Sequence, residues 1–204
     1  MDFLPEFLLF AVSAAFTPGP NNIMIMASGM NFGIRASIPH LLGICFGFPT
    51  MVIALGLGAG YLFERFPALH EIIKILGICY LIYLAWRIAT ATPGALEGGR
   101  SKPLSFLQAA LFQWVNPKAW IMGTSALATY TTVGADLTLQ ISIIVFVFFL
   151  MTWPSAGVWL MFGAGLQKVL ANPRHQRAFN ISMAVLLLAS MYTIVLELIS
   201  RYLG

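Results

Sequence analysis

Phe16-Thr17-Pro18-Gly19-Pro20-Asn21-Asn22 stands about ten residues into the first apolar run of the chain, and Asn116-Pro117-Lys118 about ten residues into the fourth. Two prolines around a glycine cannot continue a regular helix, because each proline removes a backbone donor and its ring clashes with the preceding turn. In hydrocarbon the freed carbonyls and amides have no water to bond, so such a break is tolerated only against protein or a wet cavity. The first run is therefore expected to be an interrupted helix with a cavity beside residues 17 to 22.

The second break has a different chemistry. Asn116 is a good N-cap and Pro117 suits the first helical position, so a new half-helix should begin there with its amides turned toward the same cavity. Lys118 follows in the first turn, where its ammonium adds to the positive end of the helix dipole instead of cancelling it. An anion is needed beside it, and helix N-termini bind carboxylates for this reason. Counted from Phe106, Lys118 lies about 18 Å along the segment at 1.5 Å per residue. A lysine stem recovers only ~6 Å toward the interface. The candidate substrate-binding residues are accordingly Thr17, Pro18, Gly19, Pro20, Asn21, Asn22, Asn116, Pro117 and Lys118.

The rest of the 204 residues agrees with a membrane setting. The chain is 59% hydrophobic and 9% charged, with a mean hydropathy of +0.86, whereas a soluble domain carries roughly 25% charged residues. A water-soluble surface cannot be made from this composition. The eleven Lys and Arg against seven Asp and Glu are scattered between apolar runs and read as topology signals, so lipid is the expected surroundings and nucleic acid is not a partner. Residues 1 to 6 lack a basic n-region with a small-residue cleavage site, so no cleaved signal peptide is expected. Cys45 and Cys79 fall inside apolar runs and read as small buried side chains.

A spanning helix needs about 20 apolar residues, and six segments of that length run approximately over 7–30, 38–63, 70–90, 106–133, 137–166 and 178–201. The stretch 91–105 holds Pro93, Gly94, Gly98, Gly99 and Pro103 with Glu97, Arg100 and Lys102, and reads as a solvated loop. The chain is thus expected to be an all-α integral membrane protein, one transmembrane domain over 1–204. Its six helices form two inverted three-helix repeats, about 1–90 and 106–204, with helices 1 and 4 interrupted. Pro49 and Pro154 sit inside the second and fifth segments and add to the correspondence.

Arg35, Arg87, Arg100, Lys102, Lys168, Arg174 and Arg177 share one side, against Arg65, Lys74 and Arg201 on the other. The positive-inside rule makes the richer side cytoplasmic and both termini external.

The carboxylates Asp2, Glu6, Glu64, Glu71, Glu97, Asp136 and Glu197 all lie near segment ends or in loops. A cation pump, a site for basic amino acids or a divalent-metal site would each place an anion at mid-depth. His40, His70 and His175 also read as interfacial, at segment ends. No metal and no cofactor is expected. Gly43, Gly47, Gly56, Gly58 and Gly60 permit close helix contact in the second segment, within one chain or in a homodimer, the former being favoured. Tyr61, Trp86 and Tyr202 fit interface belts.

On these residues the whole chain resembles the LysE/RhtB family of bacterial amino-acid exporters. The resemblance rests on Phe16 to Asn22, on Tyr80 to Trp86 with Arg87 closing the third helix, and on Phe112 to Ala119. Thr17 to Ile23 and Tyr83 to Ala91 look most like the cysteine and O-acetylserine exporter branch, while homoserine, threonine and leucine exporters are similar. The resemblance implies efflux of amino acids across the inner membrane by exchange with protons. Lysine-exporting members carry an intramembrane acid at a position that looks like Gly47 or Phe48 here, a departure that disfavours basic substrates.

Three functions compete. A secondary transporter would hold an amino acid between Lys118 and the freed carbonyls near Thr17. An intramembrane enzyme would need a mid-depth nucleophile and base or paired acids, and Thr17 and Ser28 alone do not make one. A non-transporting assembly subunit would not need two interrupted helices. A small neutral amino acid as substrate and no enzymatic activity are the expectations carried forward.

Overall fold

The computed structural model describes residues 4–59, 61, 65–91, 102–132, 136–170, 172–192, 195, 196 and 200. The stretch 92–101, with Pro93, Gly94, Glu97, Gly98, Gly99 and Arg100, lies outside them, as do Asp2, Gly60, Glu64, Glu197, Arg201, Tyr202 and the side chains of His70 and Lys168. Among the described residues every regular element is helical.

The helices are α1 (Leu4–Phe16), α2 (Pro20–Ala54), α3 (Pro67–Ala89), α4 (Phe106–Phe112), α5 (Pro117–Tyr130), α6 (Leu137–Val169) and α7 (Pro173–Ala189). A π-helical turn, Leu55–Ala59, extends α2, and a 3-10 turn, Gln113–Val115, follows α4. Their starts are written in the sequence. Ser105 and Gln108 form a reciprocal capping box on α4, Asp136 accepts from the Leu139 amide at 3.0 Å, and Asn172 accepts from the Arg174 amide at 2.8 Å ahead of Pro173.

α2 is two helices in one. Gly33 has φ +76° and ψ 174°, a left-handed conformation that only glycine adopts without strain. The hydroxyls of Ser28 and Ser37 meet at 2.8 Å, whereas nine residues of straight helix would separate them by about 13.5 Å. The chain therefore doubles back at Gly33 into arms of residues 20–32 (α2a) and 34–54 (α2b). The segments expected over 7–30 and 38–63 left a short connection between them; one glycine suffices for it, with helix on both sides.

Among the described residues three stretches are long and apolar enough to cross a membrane, Pro20–Ala59, Glu71–Ala89 and Leu137–Gln167, and the first of these contains the Gly33 reversal. Large apolar side chains face outward all round, among them Leu9, Leu57, Trp86, Ile121 and Phe146. A patchless polar exterior is what a soluble chain needs, and this exterior is the reverse. Cys45 is buried as expected, but Cys79 is exposed, on an outward face of α3 shared with Ile75, Ile82 and Tyr83.

Two apolar clusters make the interior. One joins α2a, α3, α4, α6 and α7 around Ile25, Leu81, Phe112, Leu160 and Leu187. The other joins α1, α2b, α5 and α6 around Phe7, Phe48 and Phe148, whose rings meet at 5.2 Å and 5.0 Å. Glycines let backbones touch. A Cβ on Gly43 would lie 2.4 Å from the Phe106 carbonyl, and one on Gly47 2.6 Å from Ala110 Cα, so this stripe packs inside the chain against α4. A Cβ on Gly29 would lie 2.4 Å from the Leu160 carbonyl, and one on Gly163 2.0 Å from that of Met26, so α2a and α6 meet backbone to backbone.

Candidate functional site

α1 stops at Phe16 because, after the Thr17 amide has bonded Ser13 O at 3.1 Å, the next residue is Pro18, which has no amide to continue the ladder, and α2a restarts with Pro20 at its first position. Gly19 is the N-cap residue and supplies no side-chain cap. The last carbonyls of α1 are left to other partners. Ala15 O accepts from Asn22 Nδ2 at 2.9 Å and from Ser155 Oγ of α6 at 2.7 Å. Thr17 O accepts from the same Asn22 Nδ2 at 3.0 Å and from Lys118 Nζ in a short hydrogen bond.

The second break is capped by its own residues. The 3-10 turn ends at Asn116, whose Oδ1 accepts from the Lys118 amide at 3.2 Å, and Pro117 opens α5. Lys118 then reaches across to the first break, its stem lying over Gly19, where a Cβ would be 2.5 Å from Lys118 Cδ. A reciprocal amide pair ties the two breaks together: Asn21 Nδ2 donates to Gln113 Oε1 at 2.8 Å and Gln113 Nε2 donates to Asn21 Oδ1 at 3.1 Å.

A cavity of about 40 Å³ lies between these groups, lined by Gly19, Asn21, Asn22, Asn116, Lys118 and Ser155 among others. That is room for a few waters. Among the described residues no carboxylate lines it, and their acids, Glu6, Glu71 and Asp136, stand near the starts of α1, α3 and α6. The ammonium of Lys118 thus faces a cavity whose walls offer carbonyls and amides but no counter-charge, an arrangement that is costly unless an anion arrives.

Of the residues singled out from sequence, Gly19, Asn21, Asn22, Asn116 and Lys118 are brought together on the cavity, and Thr17 contributes its carbonyl. Pro18 is exposed, Pro20 is buried at the start of α2a, and Pro117 faces a separate cavity beside Trp114 and Trp120. These three shape the backbone. The two asparagines of the first break also differ. Both amide ends of Asn21 are taken by Gln113, whereas Asn22 donates both N–H groups to carbonyls and keeps its oxygen for a further donor.

Sequence reasoning missed Gln113, fully buried with a third bond to Ala109 O at 2.9 Å, and Ser155. Gln113 stands three residues before Asn116 and Ser155 directly after Pro154, and these positions were the available signal. Sequence reasoning also did not foresee that His40 is enclosed by protein: the side chain is 2% exposed inside α2b, where the Gly33 reversal sets it against α2a and beside the end of α3. His175, at the start of α7, is exposed.

The LysE type translocator profile matches residues 12–199. The cysteine/O-acetylserine efflux protein of Escherichia coli K12 is 31% identical over 188 residues, 90% of this chain and 93% of the relative, and its counterpart in Salmonella typhimurium LT2 is equally similar over the same shares. No solved structure matches the chain. Matched by this profile along nearly its whole length, and by relatives that share 31% of its residues over nine-tenths of the chain, the chain belongs to the LysE family of translocators.

Proposed function

We propose that this chain exports a small neutral amino acid from a bacterial cytoplasm by secondary transport, and that Lys118 and the Thr17 carbonyl are the two poles of its substrate site. The observation that carries the reading is the bond between them. It pairs an ammonium with a carbonyl, and a zwitterion can replace it like for like. The substrate carboxylate accepts from Lys118 Nζ and from the Ala119 amide, the Lys118 and Trp120 amides being held by Asn116, while the substrate ammonium donates to Thr17 O and to the spare oxygen of Asn22. A second cation on the substrate would have no partner in a site without carboxylates, so lysine and arginine are poor substrates. The named relatives, cysteine/O-acetylserine efflux proteins, handle substrates of the charge type this site requires.

The wider frame belongs to the same proposal. The chain is one transmembrane domain in the inner membrane, six spans in two inverted halves joined by the segment 91–105, with α1 and α2a as the first interrupted span and α4 to α5 as the fourth. The ends of α2a and α3 and the start of α7 form the cytoplasmic side, leaving the termini external. Exchange with protons drives export, and a homodimer is compatible with the apolar exterior.

The test is efflux from proteoliposomes loaded with labelled O-acetyl-L-serine and increasing unlabelled competitor. Cysteine, serine and threonine should compete, and lysine should not. Equal competition by lysine would show that an acid reaches the site and would overturn the charge argument. Absence of efflux would overturn the transport reading itself.

A further inference from the structure

A second cavity, of about 50 Å³, lies between α2a, His40 of α2b, the end of α3 and residues 102–104. Six residues of α2a separate Asn22 at the Lys118 cavity from Ser28 at this one, about 9 Å of helix. Its walls carry more polar groups than packing requires. His40 is 2% exposed, yet neither ring nitrogen has a hydrogen-bond partner among the described residues, although buried polar atoms are nearly always satisfied. Arg87 donates one N–H to the Lys102 carbonyl at 2.6 Å and lies 5.9 Å over the Tyr83 ring, which leaves most of its five donors. Arg87 and Lys102 both line the cavity, and among the described residues no carboxylate does.

The surrounding hydrogen bonds hold this geometry. Ser28 and Ser37 pair across the Gly33 reversal at 2.8 Å, which fixes α2b and His40 against α2a. Asn31 and Asn180 exchange bonds at 2.8 Å and 2.7 Å, and Asn180 also donates to Ala91 O at 3.2 Å, which ties α7 to the end of α3. The imidazole of His40 is therefore enclosed by groups that already satisfy one another.

We infer that the cavity at His40 and Arg87 is a second binding subsite for the head group of a zwitterionic amino acid, loaded from the side on which α3 ends, before the substrate reaches Lys118. The guanidinium takes the carboxylate in its fork. A neutral imidazole offers one acceptor nitrogen to the substrate ammonium and one N–H to its carboxylate. The volume suits a head group of a few heavy atoms, with the side chain left in the opening. The inference rests on the amino-acid reading above. An anionic lipid headgroup shares the carboxylate's charge, but a phosphate without an ammonium leaves the acceptor nitrogen of His40 without a donor.

The experiment is protection from thiol labelling in a Cys45→Ala/Cys79→Ala background shown to retain efflux of O-acetyl-L-serine. Ser28→Cys, or Ala27→Cys where the first does not fold, is treated in inside-out vesicles with a hydrophilic maleimide. Labelling should proceed and should slow at least about threefold with millimolar O-acetyl-L-serine. The slowing should persist in Lys118→Ala and vanish in Arg87→Gln and in His40→Phe.

Efflux without protection would overturn the subsite while leaving the transport reading standing. The subsite is equally overturned if the thiol is never labelled, or if protection is lost in Lys118→Ala and kept in Arg87→Gln. Vesicles of phosphatidylcholine and of phosphatidylglycerol separate the lipid arm. Slowing by phosphatidylglycerol alone, with no effect of the amino acid, would assign the cavity to a headgroup and overturn the proposal. Absence of efflux by the unsubstituted protein would instead count against the transport reading.

Discussion

The two helix breaks solve the same problem in opposite ways. At residues 17–19 the carbonyls that α1 loses are bonded from outside, by Asn22 of the next helix, Ser155 of α6 and Lys118 of α5. At residues 113–117 the break is closed from within, by a 3-10 turn and the Asn116 cap. A break satisfied by distant side chains is an acceptor that can change partners. A break satisfied locally is a rigid mount, and this one carries the cation. The difference assigns the moving chemistry to the first break and the fixed charge to the second.

The contrast is sharpest at Lys118. Lys118→Ala should reduce efflux on the order of 100-fold while the protein stays folded, because a charge partner is lost and the Asn116 cap is not. Lys118→Arg should restore little, since a planar fork does not replace a compact ammonium over Gly19. Near-normal efflux by the alanine variant would remove the cation from the site.

Gly19→Ala comes next. The new methyl would collide with the lysine stem at 2.5 Å, and a shift of about 1 Å in a positioned group costs up to ~100-fold in rate. Efflux should fall about tenfold, with melting in detergent almost unchanged. A large drop in melting temperature instead would mean that the stem supports the fold more than the site.

Gln113→Leu should cost about 1 kcal/mol of stability by orphaning the Asn21 amide. Adding Asn21→Leu should return part of that loss, since no orphaned amide then remains. Purely additive losses in a thermal unfolding series would show that the reciprocal pair does not couple the two breaks. The smallest effect belongs to Asn116→Ala, about 0.5 to 1 kcal/mol, the ordinary value of an N-cap. Were efflux to fall as far as in Lys118→Ala, the second break would be more than a mount, and the contrast would fail.

What could be read from sequence was whatever proline and glycine dictate locally. The break at Pro18 to Pro20 and the restart at Pro117 are backbone chemistry, the same in any surroundings. Lys118 stands in the first turn of α5 because the Asn116-Pro117 restart directly precedes it. Gln113 and His40 could not be placed, because their roles depend on which helix lies opposite. For Gln113 that is the start of α2a, 92 positions away. For His40 it is α2a folded back at Gly33, a reversal too short to register as a loop. Cys79 shows the same limit from the other side, since an apolar run does not say which of its faces meets lipid.

The glycine contact between α2a and α6 has a mechanical consequence. With no side chain between Gly163 and the Met26 carbonyl, or between Gly29 and the Leu160 carbonyl, the two backbones are already as near as atoms allow. Any rocking of one helix against the other has its fulcrum there. Ser155, which holds the Ala15 carbonyl, is eight residues along α6 from Gly163, a lever arm of about 12 Å. A tilt of only ~10° would carry its hydroxyl about 2 Å along that arc, enough to break its hydrogen bond. The fulcrum itself would scarcely move, so a contact that cannot tighten further lets a small rotation act on a single hydrogen bond elsewhere on the same helix.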